Sequence, residues 1–325
     1  MLEMMRYKAG ILTLLFCVFA ICAHAQGYPS RPIIVILGNA PGGSGDFAGQ
    51  IIGAKLTEAW GQQVVIEHRP GANGSIGYVA ARARPADGYN LFLGSNSQVV
   101  PAPLLNPNLE YYDKDFDPIV PGMSVEYILA ATASIPANTL PELIAHLRAN
   151  PGKYNYAHLG PGSIHQLSME MLKSVAGLKP ESIVGVAYKG SGQYLTDLVG
   201  GQVQLGYQGI PQTMMYVLSG QLKAIALGSA QRLAAAPGVP TIAETYPGFE
   251  TNSSWDFYAP KGTPREIVLK LNAEINKILA MPDVRDRLIA QGMYPIGGSP
   301  EKLADRLKSD YGKLGAVIHK LNLND

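Results

Sequence analysis

Residues 33–60 read IIVILGNAPGGSGDFAGQIIGAKLTEAW, and this stretch decides the fold. The run Ile33–Leu37 is short, apolar and mostly β-branched, which suits a strand buried on both faces. From Phe47 to Trp60 the apolar residues recur at helical spacing, with Lys55 and Glu58 on the polar side. Between them lies the glycine-rich segment Gly38-Asn39-Ala40-Pro41-Gly42-Gly43-Ser44-Gly45-Asp46. Strand, glycine loop and helix in that order open a crossover unit of a parallel sheet.

The pattern continues outward. VVIEH (64–68), IGYVAARA (76–83) and YNLFLG (89–94) read as strand, helix and strand. A second unit repeats the order with the strands YILAAT (127–132), NYAHLG (155–160), VGVAY (184–188), VQLGYQG (203–209) and LKAIALG (222–228), separated by amphipathic stretches. The expectation is an α/β protein of two lobes, each with a mostly parallel sheet. A Pro- and Gly-rich stretch over 237–262 ends in a short strand, and two amphipathic helices follow at 265–280 and 300–321. Those helices need a sheet to cover, so the chain is expected to cross between lobes twice, near Val125 and near Glu250. Lobe one then comprises 26–125 plus 250–325, and lobe two 126–249.

The N-terminus carries Arg6 and Lys8 ahead of an apolar run from Ile11 to Ala23. That run is shorter than the roughly 20 residues a membrane span needs, and Ala23-His24-Ala25 gives a small-x-small cleavage pattern. Residues 1–25 therefore read as a secretory signal peptide cleaved after Ala25, which places the mature chain in the periplasm. Lipidation at Cys22 is disfavoured, because Phe19-Ala20-Ile21 lacks the usual small residue before the cysteine. Cys17 and Cys22 are the chain's two cysteines, so the mature protein has no disulfide, thiol chemistry or Cys-bound metal. A net charge of +1 without a basic stripe argues against nucleic acid.

Three kinds of loop are candidates for chemistry. Glycines in the first loop let backbone N–H groups approach a ligand, and the helix start behind them adds partial positive charge. An anion can be held there by Gly42, Gly43, Ser44 and Asp46 without a cationic side chain, or the loop is a tight turn with Ser44 or Asp46 capping its helix. The corresponding loop of lobe two, Leu159-Gly160-Pro161-Gly162-Ser163-Ile164-His165, again joins a strand to a helix and offers Gly162, Ser163 and His165. His158 ends the strand before it. Strand ends supply Ser95 and Asn96 in lobe one, and Tyr188 and Gln208 in lobe two, on the edge where open α/β sheets bind ligands. A dinucleotide reading of Gly43-x-Gly45-x-x-Ala48 with Glu67 competes, but its turn is long for that motif. No nucleophile elbow, zinc-protease motif or paired metal-ligand spacing occurs, and Asp113 and Asp115 read as a solvated pair. Neither a catalytic residue nor a cofactor is expected.

Taken together, the residues resemble a family: the Bug, or TctC-type, substrate-binding proteins of tripartite tricarboxylate transport systems. The likeness rests on Tyr28-Pro29-Ser30-Arg31-Pro32-Ile33, Pro41-Gly42-Gly43 with Asp46, Val64 to Ala72, Ala86-Asp87-Gly88-Tyr89, Asn155-Tyr156-Ala157, Tyr188-Lys189-Gly190, Asp197 to Val203, Val239-Pro240-Thr241 and Leu271 to Ile275. The resemblance implies a type II periplasmic-binding-protein fold, two α/β lobes joined by a double-crossing hinge and closing on a carboxylate without catalysis. It assigns the two glycine loops the part of pincers, and it implies a monomer that serves a large and a small integral membrane subunit. Two departures bear on the ligand. Many relatives have an acid where Gln208 stands, so a carboxylate lacking an ammonium group is expected here, and His158 replaces a small residue, which favours an aromatic acid over a di- or tricarboxylate. Two other classes fit the same residues, a sensor-coupled binding protein and a secreted α/β enzyme.

Overall fold

A computed structural model describes residues 27–101, 104 and 112–320. The signal-peptide reading and both cysteines lie outside the described residues. In chain order the main elements are β1 (Ile33–Leu37), α1 (Ser44–Trp60), β2 (Val64–His68), α2 (Ser75–Arg82), β3 (Asn90–Ser95), β4 (Phe116–Val125) and β5 (Tyr127–Thr132). There follow α3 (Leu140–Ala149), β6 (Tyr154–His158), α4 (Ile164–Val175), β7 (Ile183–Ala187), α5 (Ser191–Val199), β8 (Leu205–Gly209), α6 (Ile210–Leu218) and β9 (Leu222–Leu227). The chain closes with β10 (Ser253–Pro260), α7 (Arg265–Ala280), α8 (Pro282–Ala290), β11 (Met293–Pro295) and α9 (Pro300–Lys320).

These strands form two sheets, ordered β11-β4-β10-β3-β1-β2 and β7-β6-β8-β5-β9. Each is mixed, where a mostly parallel sheet was expected. The reason is where the chain enters. β1, β3, β6 and β8 pair in parallel with their crossover partners and end at the edge facing the other sheet. β5 and β10 each follow a passage between the sheets, enter from that same edge, and so run antiparallel to both neighbours. A strand at β4 was not expected, because Pro118 and Pro121 weaken its pattern. Its register against β10 shifts around Phe257, and Gly122 N–H donates to the Asp256 carboxylate at 3.0 Å. Asp115, expected in solvent, instead accepts from the Tyr78 hydroxyl at 2.9 Å and pairs with Arg82 at 3.3 Å. Its carboxylate thereby ties α2 to the start of β4.

α1 shows how the opening stretch builds its element. Ala48, Ile51, Ile52 and Leu56 are buried at helical spacing, the Ile and Leu side chains each contributing about 1.5–3 kcal/mol by leaving water. Gly61 ends the helix at φ 66°, a left-handed conformation that suits glycine, and returns its N–H to the Thr57 carbonyl.

Only Glu126 separates β4 in one sheet from β5 in the other. On the return path Ser253 opens β10 directly beside Val125, and backbone bonds run from Gly228 N–H to Tyr127 O and from Thr251 N–H to Gly228 O. The two passages therefore lie side by side. Glu126 is 8% exposed, and its Oε2 has no hydrogen-bond partner among the described residues. Burial pushes its pKa up to about 7; the Ser124 hydroxyl opposes that and the Glu250 charge adds to it. Folding thus takes up a proton between the ordinary value of 4.5 and about 7. This contribution to stability is present at the acid end of that window and is lost as the pH rises through 7. Glu126→Gln is expected to flatten that slope and to stabilise the protein by about 2 kcal/mol at pH 8, measured by urea unfolding across the pH range.

Candidate ligand cleft

The carboxyl ends of β1 and β3 face those of β6 and β8 across a cavity of about 220 Å³. Its floor is the double passage, represented by Val125, Tyr127, Ser253 and Trp255. From the first sheet the wall takes Asn39, Gly42, Gly43, Ser44 and Gly45, then Ser95, Ser97 and Gln98 at the end of β3. From the second it takes Ser163, Ile164 and His165, then Ser191 and Gly192, then Gln208, Gly209 and Gln212.

Among the helices that begin at this wall are α1, α4 and α5. The first N–H to find an acceptor inside α1 is that of Phe47, bonded to Gly43 O at 3.0 Å, so Ser44, Gly45 and Asp46 precede the helical ladder. In α4 the Gln166 and Leu167 N–H groups bond Ser163, leaving those of Ile164 and His165. In α5 the first bond is Tyr194 N–H to Gly190 O, leaving Ser191 and Gly192 facing the cavity. Each start also carries the positive end of a helix dipole.

Among the described residues no Asp, Glu, Lys or Arg lines the cavity. Its histidine, His165, is 5% exposed between the Tyr127 and Tyr194 rings, at centroid distances of 5.3 and 5.7 Å. Burial, reinforced by His158, pushes its pKa down to about 3, so the ring is neutral at pH 7. Its Nδ1 has no partner among the described residues. The described wall thus mixes apolar side chains with uncharged polar groups, and its donors come from backbone and side chain alike.

Of the residues singled out in the sequence, Gly42, Gly43, Ser44, Ser95, Ser163, His165 and Gln208 meet at this cavity. Five others do not line it, and each has a partner that accounts for its position. Asp46 spends one carboxylate oxygen on Gly42 N–H at 2.9 Å and the other on His68 at 3.1 Å. Asn96 turns to the Ser254 N–H at 3.1 Å and to Asp310 at 3.2 Å. Gly162 has φ 73° and donates to the Gln166 amide at 2.8 Å. His158 packs behind the loop, its Nδ1 accepting the Gly160 N–H at 3.1 Å, and burial lowers its pKa. Tyr188 donates to Asp197 at 2.9 Å, and the cavity is lined three residues later by Ser191.

Sequence reasoning missed Trp255, Tyr127, Ser253 and Gln212. Trp255 enters on β10, and no local motif marks it. Its indole N–H donates to Ser44 Oγ at 3.0 Å, and its ring lies flush on Gly45. That contact, and the ion pairs of Glu67 with Arg69 and Arg84 at 2.7 and 2.9 Å, occupy the groups a dinucleotide would need.

Two facing α/β sheets that meet through strand ends and helix starts give the chain the two-lobed architecture of the periplasmic solute-binding proteins. The family model described as tripartite tricarboxylate transporter family receptor matches residues 50–323, and the chain belongs to that family. Protein BugT of Bordetella pertussis is 33% identical over 299 residues, covering 91% of each chain. The structure of MatC from Rhodopseudomonas palustris with bound malate is similar at a TM-score of 0.81 and 30% identity, covering 90% of this chain and 100% of that one. Rpa4515 of R. palustris with adipate is similar at 0.80 and 31%, covering 90% and 97%. No helix among the described residues is long and apolar enough to cross a membrane.

A Cβ built on Gly45 would sit 2.6 Å from the Trp255 ring, whereas one on Gly49 would meet only the ends of the Leu37, Leu93 and Ile66 side chains, at 3.2, 3.3 and 3.4 Å. Gly45→Val is expected to cost about 2 kcal/mol of stability by overpacking, and Gly49→Ala much less, both read by urea denaturation.

Proposed function

We propose that the protein captures a small aliphatic di- or tricarboxylate lacking an ammonium group in this cleft and delivers it to the integral membrane subunits of a tripartite tricarboxylate-type transporter. The observation that carries the reading is the convergence of three helix starts on a cavity that no charged side chain lines among the described residues. Backbone N–H groups and helix dipoles hold an anion, and two ends of one ligand can be held from two lobes. No acid among the described lining residues offers an ammonium group a partner. A volume of about 220 Å³ is below the range of pockets for drug-sized molecules and suits a small metabolite. Two relatives carrying malate and adipate support the carboxylate class. The argument for an aromatic acid rested on His158, which lies behind the wall, and it lapses with that residue.

In this reading the protein acts as an exported periplasmic monomer, and its lobes divide at Val125 and Glu250. The side-by-side passages at Val125 and Ser253 support a hinge there.

Malate, adipate and citrate tested by thermal shift and calorimetry should include at least one ligand that stabilises the protein by about 2–3 kcal/mol at a hundredfold excess over Kd. Gly43→Val should abolish that stabilisation while leaving the free protein's Tm within about 2 °C. Gly43 has φ −86°, and a Cβ there meets nothing nearer than Ala40 O at 4.0 Å, so the fold accepts the side chain. Stabilisation by amino acids alone would overturn the ligand class.

A further inference from the structure

A backbone N–H can only donate, and one such group sets the direction of a chain of carboxamides along the lobe-one wall. β3 ends at Ser95, whose N–H donates to Gln98 Oε1 at 3.2 Å. With its oxygen so used, Gln98 turns its amide nitrogen on Asn39, and the atom that accepts is Asn39 Oδ1. Flipping Gln98 would set donor against donor at Ser95, and flipping Asn39 would set one N–H2 against the other. The chain therefore has a single assignment of nitrogen and oxygen. What remains of the Asn39 side chain is its N–H2. Asn39 lines the cavity, and no described residue accepts from its Nδ2.

The surrounding backbone is shaped to hold this chain of bonds. Gly74 has φ 86°, and a Cβ there would fall on the Gln98 carboxamide. A Cβ on Gly38 would come 2.7 Å from Gly74 Cα, so the segment before α2 packs directly on the start of the glycine loop. In that segment Ala72 and Asn73 also lie in the left-handed region, at φ 46° and 49°, a strained conformation for residues with a side chain. Asn73 thereby reaches the cavity wall, and it donates to Ser97 O at 3.3 Å. The Asn39 backbone is fixed separately, its carbonyl oxygen lying 2.9 Å from His68 Nδ1. Main chain and side chain of Asn39 are both held before a ligand arrives.

We propose that Asn39 is a specificity-determining residue for the end of the ligand seated on lobe one: its fixed N–H2 donates to a carboxylate oxygen there and offers no acceptor to an ammonium or amide N–H. This rests on the carboxylate reading of the cleft and adds to it a rule for one end of the ligand. Helix starts attract negative charge from any direction, whereas a carboxamide locked by its neighbour distinguishes an acceptor from a donor of the same shape. A donor already turned to the cavity also has no rotamer to give up on binding. Asn39→Asp reverses the rule with almost no change of shape. One carboxylate oxygen still accepts from Gln98, and the other faces the cavity as a charged acceptor.

Calorimetry on the mature protein tests the rule, with whichever of malate and adipate binds wild type more tightly and with the monoamide of that acid. In Asn39→Asp the affinity for the acid should fall at least about a hundredfold, because two carboxylates then face each other. The monoamide can turn its N–H2 to the new oxygen and should lose less than about tenfold. The ratio of the two affinities thus shifts at least about tenfold, which a general loosening of the loop would not produce. The free variant should keep its Tm within about 2 °C of wild type. Asn39→Ala, which removes the donor without adding a charge, should weaken the acid about tenfold. In wild type the Asn39 side-chain ¹H–¹⁵N signals should move when the acid is added, so the proposal stays testable even if Asn39→Asp fails to fold. An unchanged affinity ratio in a folded Asn39→Asp, full affinity in Asn39→Ala, or unmoved Asn39 signals overturn the proposal and leave the cleft reading standing. If wild type binds neither acid, the cleft reading fails for these ligands and this inference fails with it.

Discussion

A backbone N–H in the first turn of an α-helix has no acceptor in its own helix, and α1, α4 and α5 open such turns onto one cavity. Much else in the protein accommodates that constraint. Loops that lead into exposed helix starts must let the chain come close to a ligand, which is why glycine recurs at 42, 43, 160, 162, 190 and 192. Because the donors are part of the backbone, the wall can do without Lys and Arg, whose long side chains would cost entropy to order and would fill a cavity of about 220 Å³. The nearby ionisable side chains, Asp46, His68 and His158, are spent on holding the loops in shape.

The second constraint is the double passage between the sheets. A strand that arrives from the cleft edge runs away from it, so β5 and β10 are antiparallel insertions among strands built by parallel crossover, and β11 adds an antiparallel edge beside β4. This places Tyr127, Ser253 and Trp255 at the floor of the cavity, next to the point about which the lobes would turn. Gly228, packed on Thr251 at a distance where a Cβ would fall 2.6 Å from its hydroxyl, lets the two passages approach closely enough to share backbone bonds.

What could be read from the sequence followed from local signals. The period-based reading found β1, α1, β2 and β3 and their counterparts in the second sheet, since each announces itself within about ten residues. The glycine loops were legible for the same reason. β4 was not, because its prolines mask the pattern and its pairing is set by β10, more than a hundred residues later. Site residues divide in the same way. Gly42, Ser44 and Ser163 sit on motifs, whereas Trp255 and Gln212 come to the cavity through topology. The misplaced ones, Asp46, Asn96, His158, Gly162 and Tyr188, all lie within three residues of the wall. They carry the polar chemistry of a binding group, but each spends it on a neighbour. Sequence spacing locates a loop; it does not say which side of the loop faces the ligand.

The chain has two tryptophans, and their placement turns the protein into its own gauge. Trp60 ends α1 on the side away from the cavity, where its ring meets Tyr28 at 6.0 Å. Trp255 stands at the meeting point of the passage strand, the first helix start and the cavity, with its indole N–H on Ser44. A ligand that draws on the first turn of α1 competes for the hydroxyl that the indole now holds. Any change in tryptophan fluorescence on filling the cleft therefore has one natural source, and the protein needs no added dye to report its own occupancy.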